Sequence, residues 1–180
     1  VFSLCLTEKI LDLGGLPMWS DITNLNTWIL ILNLIVAAIL GGLIGLERET
    51  GRRPAGLRTY MLVSTGSALF TMLSIYAFPT VGGIRDTARV AAQIVSGIGF
   101  LGAGTVWQTK GSVKGLTTAA GLWVAAAIGM AVGTGFGLLA TAATVIVLAI
   151  LTFMLQLEKY YLRRQRRARQ AHRTRNDKNQ

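Results

Sequence analysis

Charge is scarce in this sequence. Only 14% of its 180 residues are Asp, Glu, Lys or Arg, and 52% are hydrophobic. Soluble domains carry about a quarter charged residues. No charge occurs from Trp28 to Leu46, and none from Gly115 to Leu157. Such long uncharged runs exclude an ordinary water-soluble globule. Cysteine is almost absent too. Cys5 stands alone, so neither an intrachain disulfide nor a cysteine metal cluster can form. His172 is the only histidine and sits among arginines. Zinc sites and Ser/His/Asp chemistry therefore lack their raw material. No catalysis and no cofactor are expected. Residues 1–25 do not read as a secretory signal, because Glu8, Lys9 and Asp12 break the apolar run.

What is present is apolar sequence of membrane-spanning length. A hydrocarbon core about 30 Å thick takes roughly 20 apolar residues per helix. Runs of that kind cover residues 28–46, 57–78, 88–107, 117–133 and 135–157. Pro79 stops the second, and Gly133-Thr134-Gly135 divides the last two into a tight hairpin. Period-2 alternation is missing, which argues against a membrane barrel. The expected fold is all-α: a polytopic bundle of about five transmembrane helices over residues 28–157. Residues 1–27 form an external N-terminal segment and residues 158–180 a basic cytoplasmic tail.

Orientation follows from the basic residues. Fifteen of the eighteen fall on one side of a five-span arrangement. Arg48, Arg52, Arg53 and Arg58 lie in one loop, Lys110 and Lys114 in another, and nine in the tail from Lys159 to Lys178. Lys9, Arg85 and Arg89 fall on the other side. The N-terminus is thus expected outside and the C-terminus in the cytoplasm. Trp28, Trp107, Tyr160 and Tyr161 fall at span ends, where amphipathic rings favour the headgroup layer. Trp123 lies inside the fourth span and is expected to pack.

Glycine is abundant, with 21 residues, many inside the spans. In lipid, small residues let helices approach closely. Gly41 and Gly45 form a GxxxG pair, and Gly129, Gly133 and Gly137 keep the same spacing. Gly97, Gly99, Gly102 and Gly104 crowd the third span, which is therefore expected to be the central helix. Gly97 to Gly102 also match the dinucleotide pattern GxGxxG. That motif needs a preceding strand and an acidic residue about twenty positions on. Here a helical run precedes it, and no Asp or Glu occurs between Arg89 and Leu157.

Several polar residues sit close to hydrocarbon, where they are costly without a partner or ligand. Glu47, Arg48 and Glu49 follow the first run directly, and Arg58-Thr59 opens the second after a short turn. Glu47 or Glu49 is expected to pair with Arg58. Arg52 and Arg53 read as ordinary positive-inside anchors. At the opposite end Asp86, Arg89, Gln93 and Gly97 share one helix face. Asp86 suits a helix cap paired with Arg89, while Gln93 calls for another helix or a polar cavity. Thr117 and Thr118 are expected to cap the fourth span. The polybasic tail suits anionic lipid headgroups, and nucleic acid is not expected.

Four blocks, in order, carry a family resemblance. They are Gly41 to Arg48, Pro54 to Thr59, Asp86 to Arg89 leading into Gln93 to Gly104, and Lys114 to Ala120. Together they span about residues 36–140, and the sequence resembles the MgtC/SapB family of bacterial membrane proteins. The resemblance implies a five-helix inner-membrane protein with a cytoplasmic C-terminus. It also implies a regulator that supports growth in low magnesium and intracellular survival, in part by restraining the proton-translocating ATP synthase. Studied members carry a folded C-terminal domain, whereas a short basic tail follows Leu157 here, so a minimal SapB-like form is expected.

Two functions are open at this point. One is a non-enzymatic regulator that packs against another membrane protein or itself, with a homo-oligomer as the expected state. The other is a transporter or binding protein for magnesium or another small solute, resting on Glu47, Asp86 and Gln93. Magnesium takes oxygen ligands, but Glu47 and Asp86 lie at opposite ends of their spans, so no metal site is assigned.

Overall fold

The computed structural model describes residues 26–77, 87–109, 111–154 and 156. Among them five helices and one small hairpin follow in order. The elements are α1 (Asn26–Thr50), α2 (Leu57–Tyr76), α3 (Thr87–Gly104), β1 (Trp107–Thr109), β2 (Ser112–Lys114), α4 (Leu116–Gly133) and α5 (Gly137–Met154). Residues 1–25, Asp86 and the basic tail lie outside the described residues. By length and composition α1, α4 and α5 suit a membrane crossing. In α2 the length is there, but hydroxyl residues dilute the apolar sequence. The apolar helix Ala88–Gly104 is slightly short of the others.

Helix ends depart from the expected spans for local reasons. α1 runs past Leu46 to Thr50, because the Thr50 hydroxyl donates to the Leu46 carbonyl at 2.8 Å and Gly51 N–H donates to Glu47 O at 3.1 Å. The charged residues Glu47 to Glu49 thus belong to the helix and not to a loop. α3 stops at Gly104, short of Trp107. A turn (Thr105 N–H to Gly102 O, 3.0 Å) leads into β1, where Trp107 pairs with Lys114 across an antiparallel register. α4 ends in a Schellman motif: Phe136 N–H reaches Ala131 O and Gly135 N–H reaches Val132 O, both at 2.9 Å, with Gly135 at φ 88°. This turn delays α5 to Gly137.

The central helix is α2, packed between α1 and α4. Gly41 and Gly45 of α1 lie against it so closely that a methyl on Gly41 would come within 2.6 Å of the Tyr60 carbonyl oxygen. A methyl on Gly45 would sit 2.7 Å from Leu57 Cα. From the other side, Gly129 abuts the Ser64 carbonyl, and a methyl on Gly133 would lie 2.7 Å from Ala68 O. Gly121 abuts the Tyr60 hydroxyl. The core is built around these seams, with Ala37, Leu40 and Ile44 from α1, Tyr60, Val63, Ala68 and Met72 from α2, and Leu122, Ala125, Ile128 and Val132 from α4. Ala140 joins it from α5.

The expectation that α3 is central is corrected. Its inward face, Ile94, Ile98 and Gly102, packs mainly on α4, where a methyl on Gly102 would lie 3.4 Å from the Ala119 methyl. A methyl on Gly97, Gly99 or Gly104 would meet nothing within 4 Å. Glycine density alone therefore misidentified the crossing helix. Trp123 is likewise 51% exposed and faces outward, not into the bundle.

These contacts generate a paired expectation. Gly129→Ala forces the α2 backbone away and should lower stability by about 1–3 kcal/mol, the usual cost of overpacking. Gly97→Ala should stay within about 0.5 kcal/mol of wild type. Thermal unfolding of both variants in detergent checks this.

Candidate functional site

Where α1, α2 and α4 meet, a set of polar groups is buried together. Arg48, in the last turn of α1, is only 2% exposed. That position favours a cation, because the last turn of a helix presents unpaired carbonyls. Its Nε donates to Glu47 Oε2, the ion pair of the site. Glu47 Oε1 is buried with no hydrogen-bond partner. One turn into α2, fully buried Tyr60 donates its hydroxyl to the Thr118 carbonyl of α4 at 3.3 Å. The charges of both Arg48 and Glu47 reach this phenol. Breaking a buried ion pair by removing one partner is far costlier than losing a surface pair, because a charge is stranded.

Glu49 plays a different part. Its Oε2 accepts the Leu57 backbone N–H at 2.9 Å, satisfying a free donor at the start of α2. The expected pairing of Glu47 or Glu49 with Arg58 is not formed. Arg58 and Thr59 are exposed, because the turn before Leu57 aims the backbone N–H, and not the Arg58 side chain, at the carboxylate. The two threonines of α4 also diverge. Thr118 is buried and Thr117 exposed. Neither caps the helix: the cap is Gly115 at φ 93°, with no side-chain hydrogen bond. A Cβ there would collide with the Thr105 carbonyl, so only glycine fits the turn out of the hairpin.

Sequence reading missed the inward face of α2. Tyr60, Ser64, Ser67, Thr71 and Ser74 recur at spacings of 4, 3, 4 and 3, and all are buried. Thr71 returns its hydroxyl to the Ser67 carbonyl at 2.8 Å, while Ser64 Oγ is buried without a partner. The spacing was the available signal. It was obscured because Thr59 and Thr65 lie off this face and buried apolar residues such as Val63, Ala68 and Met72 sit beside the row.

The remaining candidates lie elsewhere. Arg89 and Gln93 are exposed on α3, and Asp86 falls outside the described residues. Gln93 borders an apolar groove of about 350 Å³ between α2 and α3, shared with Ser67, Phe70, Ile94 and Gly97. The predicted polar residues thus separate: Glu47, Arg48 and Thr118 gather around Tyr60, whereas Gln93 stands apart with Ser67. Among the described residues no three His, Cys, Asp or Glu side chains gather to hold a metal ion.

Comparison with known proteins adds a family. The model of the MgtC family matches residues 34–160. The chain is 44% identical over 142 residues to the Escherichia coli K12 protein named "Putative magnesium transporter YhiD", covering 73% of this chain and 66% of that one. It is 52% identical over 118 residues to protein MgtC of Salmonella typhimurium LT2, covering 66% and 49%. Protein MgtC of Brucella abortus is 50% identical over 114 residues, covering 63% and 46%. The chain therefore spans between about half and two thirds of the length of these curated relatives. No solved structure matches it.

The polar cluster makes a graded prediction. Arg48→Ala strands Glu47 and should cost about 3–5 kcal/mol. Tyr60→Phe loses one hydrogen bond and should cost about 1 kcal/mol. Arg58→Ala, on the exposed face, should change stability by less than about 0.5 kcal/mol. Unfolding of the purified variants in detergent gives the order.

Proposed function

The chain belongs to the MgtC family, and from that premise we propose that it is a non-enzymatic regulator linked to magnesium limitation or membrane energetics. It acts by contact with another membrane protein in the inner membrane, with its N-terminus outside and its C-terminus in the cytoplasm. The basic tail sits on anionic headgroups. The family resemblance makes the proton-translocating ATP synthase one candidate partner.

One observation carries this reading: the use of the polar groups. Glu47 is held by Arg48, Glu49 by the Leu57 N–H, and Tyr60 by Thr118. Glycine contacts press α1 and α4 onto the hydroxyl row of α2. An interior used in this way favours a packed body that presents surfaces over one that conducts ions.

Transport of magnesium or another solute is the second reading. It is favoured by the name of the Escherichia coli relative and by the buried, unpartnered Glu47 Oε1, an oxygen of the kind magnesium takes.

Purified protein in sealed liposomes separates the two. Magnesium and proton flux should be no higher than in empty vesicles. Flux that rises with protein content and falls in Glu47→Gln would replace the regulator with a transporter.

A further inference from the structure

Glycine closes two seams of this bundle, but between α2 and α3 it does the opposite. Gly66 of α2 and Gly97 of α3 both line the groove of about 350 Å³ between these helices, and a methyl on either would meet nothing within 4 Å. Phe70, Val90 and Ile94 supply more of its wall, and Ser67 and Gln93 are the polar side chains that line it. Val90 to Ile98 cover about 12 Å of helix at about 1.5 Å per residue. That fits within one leaflet, half of a hydrocarbon core about 30 Å thick. An empty slot forfeits the dispersion contacts of its walls, so at this depth it takes an apolar occupant.

The polar groups beside the slot stand at one end of it. α3 begins at Thr87, so Arg89 lies in its first turn, and Gln93 follows one turn deeper on the same face. Both are exposed, and Arg89 adjoins Val90 of the groove wall. Arg89 also has an interaction within the chain, but a guanidinium carries five N–H donors and can serve an outside oxygen as well. From the start of α3 inward the order is cation, amide, apolar slot. A phospholipid presents the complementary order from the bilayer surface: anionic phosphate, ester carbonyls, acyl chain.

We propose that this groove binds one phospholipid of the leaflet nearest the start of α3. Arg89 donates to the phosphate, a charge-assisted contact. The Gln93 amide donates to an ester carbonyl, and one acyl chain lies in the slot against Gly66 and Gly97. This site goes beyond the regulator reading and does not rest on it.

Two photoactivatable lipids test it with the full chain in vesicles. One is phosphatidylglycerol with a diazirine in an acyl chain; the other is a diacylglycerol with the same chain and no phosphate. Mass spectrometry maps the labelled residues after irradiation. Phosphatidylglycerol should label Phe70 and Ile94 several-fold more than the outward residues Leu139 and Ile146 of α5, and several-fold more than diacylglycerol labels them. Arg89→Gln should erase the difference between the two lipids. Gly97→Leu fills the slot and should abolish groove labelling. Gly99→Leu starts in open space off the groove and should leave it unchanged. Even labelling of groove and α5, equal labelling by the two lipids, a difference that persists in Arg89→Gln, or a like response to both glycine variants overturns the proposal. A groove that neither lipid labels also overturns it, by giving the slot to a protein side chain. The wild-type comparisons need no variant, so a variant that inserts poorly does not shield the proposal. Magnesium and proton flux are read separately, so this proposal and the regulator reading fail by different results.

Discussion

The backbone of α2 lies within contact distance of α1 on one side and α4 on the other, and the rest of the bundle is arranged around that approach. In lipid there is no hydrophobic force to press helices together, since hydrocarbon tails are as apolar as leucine. Association rests on close packing and on hydrogen bonds that have no water to compete with them. Both require short distances. Gly41 and Gly45 supply them on α1, and Gly121, Gly129 and Gly133 supply them on α4. Tyr60 and Ser64 meet glycines from both sides, so the first two turns of α2 are the point at which three helices are fixed relative to one another.

That fixation accounts for the polar cluster. Once α1 and α4 close on α2, the last turn of α1 is carried under the start of α2, and Arg48 loses its access to water. Its charge is tolerable because Glu47 is adjacent and because the end of a helix favours a cation. The Tyr60 hydroxyl, brought to α4 by the same closure, finds the Thr118 carbonyl. α3 has no glycine seam with α2. It rests on α4 through Gly102 and Ala119 and leaves most of its small residues facing away from the bundle. A fold with two tight seams and one loose helix divides naturally into a rigid body and a surface.

Much of the architecture was legible in the sequence because the signal is additive: uncharged runs of about twenty residues sum to a span whatever their order. The five helices and the turn at Gly133 to Gly135 came from that signal, and the GxxxG pair Gly41 and Gly45 from spacing. Side-chain direction was not legible to the same degree. Gly97, Gly99 and Gly104 look like packing residues by composition, yet which face a glycine occupies depends on where the neighbouring helices stand. The hydroxyl row of α2 carried a readable spacing, but serine and threonine are common enough in helices that the row gains meaning only when all five prove buried. Arg58 was misassigned because proximity along the chain does not fix the direction of a side chain around a helix, and a backbone N–H competed for the same carboxylate.

The seam between α2 and α4 is the central claim, and filling it is its most direct test. A methyl on Gly133 would lie 2.7 Å from Ala68 O and 3.0 Å from Thr71 Cβ, so α2 must move to admit it. Gly133→Ala should therefore lower stability to thermal unfolding in detergent by about 1–3 kcal/mol, whereas Gly99→Ala, whose methyl meets nothing within 4 Å, should stay within about 0.5 kcal/mol of wild type. A Gly133→Ala protein as stable as wild type would mean that these helices do not meet there, and the bundle as described would be wrong.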